Sequence, residues 1–116
     1  MTAYTPSPIY IDDSPRLKAS EIRARARSMK ARFGCRMFAV DHLQEMAKGH
    51  HADREYDTVT DACREMKAMA KELECPVVLL SQLNRSMDNE QRKPRLSDLR
   101  ASGAIEETAD TVILLS

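Results

Sequence analysis

MFAVDHLQEM, residues 37–46, opens as an apolar run from Met37 to Val40, stops at a carboxylate, Asp41, and then turns polar. An uninterrupted apolar run containing Phe and Val reads as a strand buried on both faces, unlike the alternating pattern of a half-exposed sheet. The same form recurs in PVVLLSQ (76–82), which ends at Ser81 and Gln82, and in TVILLS (111–116). PIYIDD (8–13) repeats it and ends at Asp12 and Asp13.

Helical patterns separate these runs. Over residues 19–33, Ile22, Ala26, Met29 and Phe33 share one face at spacings of four, three and four. Arg23, Arg25, Arg27, Lys30 and Arg32 take the other faces, which reads as a solvated surface, and Gly34 is a natural stop. A second helix runs from about Glu55 to Glu74 and turns Val59, Ala62, Met66, Met69, Ala70 and Leu73 to the core, ending ahead of Pro76. ASGAIEETAD (101–110) has the makings of a short helix. LQEMAKGHHADREY (43–56) is polar, contains Gly49 and lacks a period, so it reads mostly as loop, and the charged SMDNEQRKPRLSD (86–98) reads as a mobile surface loop.

Apolar strands alternating with helices imply an α/β fold, a three-layer parallel sheet of about four strands with flanking helices on both faces. Residues 1–7 form a flexible lead-in and 8–116 the domain. In such sheets ligands gather at the carboxyl ends of the strands, where Asp12, Asp13, Asp41, Ser81 and Gln82 fall.

The whole chain narrows the function classes. Its 116 residues fit one domain, without Trp, so Leu, Val, Ile, Met and Ala must fill the core. Lysine plus arginine and aspartate plus glutamate number 18 each, which removes any case for nucleic-acid or membrane binding from overall charge. Cys35, Cys63 and Cys75 form no CxxC pair and no apolar signal segment precedes them, as expected of a reducing cytoplasm. Cys35 and Cys75, each just ahead of a strand, read as core thiols. No apolar run approaches the roughly 20 residues that cross a bilayer.

An apolar strand ending in Asp suits a carboxylate that holds a hydrated Mg²⁺ beside nucleotide phosphates, or one that caps the following turn. Gln82 either touches a phosphate or polarised water through its amide or satisfies nearby backbone. In SDLRASGAIEE (97–107), Arg100 and Gly103 precede a helix and suit a phosphate backbone, or form an ordinary turn. His50, His51 and Asp53 lack the second pair of ligands that a metal site needs.

The order PIYIDD, SEIRARARSMK, FAVDHLQEM, KELECPVVLLSQLNR, KPRLSDLRASGAIEETADTVILL resembles the RecA-like motor domain of replicative DNA helicases of the DnaB family, from about residue 6 to residue 116. The resemblance implies an ATP- and Mg²⁺-dependent ring that moves along single-stranded DNA. It gives Asp41 the role of the Walker B aspartate, a metal ligand, and Gln82 that of a catalytic sensor of the γ-phosphate. It places Arg100 and Gly103 in the loop that tracks single-stranded DNA. Two positions depart from the family pattern: His42 stands where Tyr is usual, and Ala101 where an acidic residue is usual.

No GxxxxGK followed by Ser or Thr is present; Gly34, Gly49 and Gly103 are the only glycines. The resemblance puts the phosphate loop and the water-activating glutamate before the matched segment, and a neighbour-facing arginine after it. Without the phosphate cradle, ATP and Mg²⁺ would be held weakly, and the expectation is a chain that alone neither hydrolyses ATP nor unwinds DNA. Removing the phosphate-loop strand, which in the family lies between the strands matched by PVVLLSQ and TVILL, would leave an apolar edge open to self-association. A non-catalytic interaction protein or gene remnant that joins or inhibits a helicase ring is the alternative reading.

Overall fold

The computed structural model describes residues 8–47, 52–83, 92–99 and 102–115. The lead-in 1–7, the His50–His51 pair, residues 84–91 and Arg100 lie outside the described residues.

The chain runs α1 (Ala19–Phe33), β1 (Phe38–Val40), a 3-10 turn (Leu43–Ala47), α2 (Ala52–Leu73), β2 (Val77–Leu79), a second 3-10 turn (Leu96–Asp98) and α3 (Ser102–Thr108). Two strands pair in parallel, Phe38 opposite Val77, Ala39 opposite Val78 and Val40 opposite Leu79, with α2 as the crossover.

Local chemistry explains the helix limits. At the start of α1 the Glu21 carboxylate accepts from the Lys18 N–H at 2.7 Å. At its end Gly34 adopts a left-handed φ of 68° and donates its N–H to the Lys30 carbonyl. The Lys30 ammonium in turn donates to the Leu73 carbonyl at the end of α2, where a cation is favoured.

The expected faces of both helices hold except at Phe33 and at Ala70, which is only half-buried and belongs to neither buried cluster. Ala26 of α1, Phe38 of β1, Met66, Met69 and Leu73 of α2, and Cys75 form one buried cluster, with Ile22, Met29, Cys35, Val40, Val77 and Leu79 packed on it. Phe33 instead lies outside the cluster and stacks on Tyr10, ring centroids 4.2 Å apart. A second cluster joins Val59, Ala62 and Cys63 of α2 to Leu43 and to Ala104 of α3. Arg23 and Arg27, expected as a solvated surface, are tied to α2 instead: Glu72 accepts from both at 2.6 Å, and Glu65 from Arg23 at 3.3 Å. These bonds hold the Glu72 carboxyl down at about 2.

The α/β class and the parallel sheet are as expected, but the described sheet has two strands and two layers, where four strands and three layers were anticipated. Both helices lie against the face of Phe38, Val40, Val77 and Leu79. The other face, with Ala39, Val78 and Leu80, is open, Val78 at 43% and Leu80 at 44% exposure. Residues 8–13 and 111–115 belong to no strand or helix, and Ile9, Ile11, Ile113 and Leu115 are each about 80% exposed. Strand propensity is realised only where a neighbouring strand takes up the backbone donors and acceptors.

Two further readings change. Within the segment read as loop, Leu43–Ala47 form a 3-10 turn that buries Leu43 and Gln44, and α2 starts at Ala52, earlier than Glu55. Residues 92–98 are pinned: Arg92 donates to both carboxylate oxygens of buried Asp98, at 2.8 and 2.9 Å, and the Arg95 N–H donates to it at 2.6 Å. Both Arg92 and the Arg95 amide favour the ionised carboxyl, which sits at about 2.

Candidate functional site at the sheet rim

Each strand delivers its polar ending to the same rim. The sheet ladder closes with the Leu80 N–H donating to the Val40 carbonyl at 3.0 Å, and Asp41 follows at once. Its side chain is 76% exposed, with His42 Nδ1 3.4 Å from its carboxylate. Leu43 then turns back under the rim, donating its N–H to the Leu80 carbonyl at 2.8 Å and burying its side chain completely.

Ser81 and Gln82 leave β2 beside this turn. Gln44, only 7% exposed, spans the gap. Its Oε1 accepts from the Gln82 N–H at 3.0 Å and its Nε2 donates to Ser81 Oγ at 2.9 Å. The Gln82 side chain itself faces solvent. Beyond it Leu83 forms an antiparallel bridge with Leu99, so the segment that leads to residue 100 leaves from the same end of the sheet.

The structure therefore gathers Asp41, Ser81 and Gln82 on one rim, as expected. Asp12 and Asp13 are not with them. Residues 8–13 form no strand, and Asp12 caps a turn, accepting from the Ser14 N–H at 3.0 Å and from Arg25 at 2.7 Å. The Ser14 hydroxyl, then Arg25, hold its carboxyl at about 2. Gly103 lies in the first turn of α3 instead of the preceding loop, and a Cβ there would come 3.2 Å from the Tyr56 hydroxyl.

The polar composition of 43–56 conceals the buried Leu43 and Gln44. The spacing of Leu43 and Met46, three residues apart, was the available signal for a turn with one buried face.

A single exposed carboxylate is a hard oxygen donor that fits one position on a Mg²⁺ otherwise held by water and phosphate oxygens. Among the described residues no group of three His, Cys, Asp or Glu side chains could enclose a metal. The open cleft of about 410 Å³ lined by Arg64, Lys67, Lys71 and Asp110 shares no residue with the rim, and its Lys67 is paired to Asp110 at 2.5 Å.

Comparison with known proteins follows the same segments. The family model for the DnaB-like helicase C terminal domain matches residues 1–116. The chain is 46% identical over 117 residues to the replicative DNA helicase DnaB of Mycobacterium intracellulare, covering 100% of this chain and 20% of that one. It is 42% identical over 117 residues to the replicative DNA helicase DnaC of Bacillus subtilis, covering 99% of this chain and 26% of that one. A solved DnaB-like replicative helicase, described with its interactions with primase, superposes with a TM-score of 0.69 at 34% identity, over 80% of this chain and 23% of that one. The chain thus spans about a fifth to a quarter of the length of these relatives.

Proposed function

The chain belongs to the DnaB-like helicase C-terminal domain family, and from this we propose that it is the part of an ATP-driven DNA helicase motor that senses nucleotide and passes its state toward DNA. The observation that carries the reading is the placement of Asp41 and Gln82 just beyond the ends of two adjacent parallel strands. In this reading Asp41 offers its exposed carboxylate to a hydrated Mg²⁺, which would screen the phosphate charge of ATP. Gln82, held by its backbone, presents its amide toward the γ-phosphate. Arg100 and Gly103 act at the single-stranded DNA, and other helicase subunits complete the ring in the cytoplasm. Among the described residues no helix is long and apolar enough to cross a membrane.

The phosphate cradle is not encoded in these 116 residues, so the chain alone is inactive in this reading. Two measurements test it. The purified chain is expected to hydrolyse no ATP, and a turnover lost on Asp41→Ala would overturn that. Set into an intact family helicase in place of its matching segment, the same residues are expected to support DNA-stimulated hydrolysis that Asp41→Ala abolishes. Hydrolysis indifferent to Asp41 would remove the site assignment.

The open apolar sheet face of Val78 and Leu80 favours a second reading, a non-catalytic partner that joins or inhibits a helicase ring through this surface or self-associates along the sheet edge.

A further inference from the structure

We infer that Gln44 is a positioning residue that fixes the nucleotide-facing carboxylate of Asp41 and the amide of Gln82 relative to one another. The inference rests on the helicase reading above, and it adds a residue to which that reading gives no role. Beyond Leu80 the two strands no longer exchange backbone hydrogen bonds, and Gln44 takes over. Its carboxamide meets the Gln82 N–H and the Ser81 hydroxyl much as a further peptide unit of β1 would. The orientation of the amide is set by chemistry, because the Gln82 N–H can only donate and must therefore meet the oxygen. Glu45 donates its N–H to the His42 carbonyl at 3.1 Å, and the Leu43 N–H is held by Leu80, so only a short, hydrogen-bonded turn separates Asp41 from Gln44. Any displacement of Asp41 along this turn is passed to the backbone of Gln82 through one buried side chain.

Buried position alone would make Gln44 a stabilising residue. Coupling differs in two ways. A polar group that merely fills space can be replaced by Met at similar volume, whereas here Met leaves the Gln82 N–H without its acceptor. A residue that only stabilises also acts independently of Gln82, whereas a residue acting through Gln82 does not.

The test uses an intact family helicase carrying these 116 residues in place of its matching segment. Gln44→Met is expected to lower the DNA-stimulated kcat by about tenfold or more with KM for ATP changed less than about threefold, the pattern of an interaction made in the transition state. Gln44→Glu keeps an acceptor for Gln82 and can accept from Ser81, so it should restore a substantial part of the lost kcat. Gln44→Met combined with Gln82→Ala should be no slower than Gln82→Ala alone. Equal losses for Met and Glu, or multiplicative losses in the double variant, would overturn the inference. Should the Met variant fail to fold, hydrogen exchange at the Gln82 amide in the unsubstituted 116-residue chain decides: strong protection supports the bond to Gln44, and free exchange removes it. An unsubstituted chimera without activity, or one indifferent to Asp41→Ala, would instead sink the helicase reading itself.

Discussion

Leu43→Ala should be among the most damaging single changes in this chain. Leu43 is fully buried between α2 and α3, touching the cluster of Val59, Ala62, Cys63 and Ala104, and its backbone anchors the turn that follows Asp41. Truncation removes three carbons, about 2.4 kcal/mol at roughly 0.8 kcal/mol per buried carbon. The cavity left behind raises the loss to about 3–5 kcal/mol, because helices on two sides cannot close fully upon it. At a urea slope of about 1–3 kcal/mol per molar, the unfolding midpoint should fall by roughly 1–5 M. Circular dichroism during urea titration reads this directly, with Leu115→Ala as the control. Leu115 is 80% exposed, and its truncation should cost no more than about 0.5 kcal/mol. A Leu43→Ala loss below about 1 kcal/mol would refute the packing of this turn and, with it, the anchoring of the rim.

Asp98 carries a pH dependence of known sign. Its carboxyl lies at about 2, below the ordinary 3.8, so its contribution is complete above about pH 4 and is lost as pH falls through about 2. Arg92→Ala should move the Asp98 titration seen by carbon-detected NMR upward toward the ordinary value; an unmoved titration would mean that Arg92 is not the main cause. If the open sheet edge recruits a second copy, light scattering should show mass rising with concentration across the micromolar range, and Leu80→Lys on that face should suppress it. A constant monomer mass would remove self-association from consideration.

Readings that depend on neighbours within the same helix or turn were legible in the sequence. Gly34 ends α1 because a left-handed residue there costs glycine little, and Val59, Ala62, Met66, Met69 and Leu73 bury because their spacing puts them on one stripe. Cys35 and Cys75 likewise pack with the core. Readings that depend on distant partners were less secure. TVILLS and PIYIDD have strand composition, yet a strand exists only when another strand lies beside it, and no local pattern reports that. Asp98 reads as a loop carboxylate until Arg92, six residues earlier, is seen to fold back onto it. The arginines of α1 look like solvated charge because Glu65 and Glu72 lie more than forty residues away in sequence.

The open face of the sheet and the site at its rim belong to one arrangement. Side chains alternate along a strand, so Ala39 and Asp41 share a face of β1, and Val78, Leu80 and Gln82 share the corresponding face of β2. Exposure agrees with this alternation: Phe38 is buried while Ala39 is exposed, and Asp41, Val78, Leu80 and Gln82 are all exposed. Asp41 and Gln82 therefore stand exposed at the end of an apolar surface that nothing in the described structure covers. A phosphate loop consists of a strand, a glycine-rich turn and a helix, and a helix laid on that face would bring its N-terminal amides to the same end as Asp41 and Gln82. Slipping β1 by one residue would turn Asp41 under the helices, where an unpaired carboxylate is strongly disfavoured, and slipping β2 would do the same to Gln82. The register of Val40 against Leu79 thus determines both which apolar side chains remain open and which polar side chains stand at the rim.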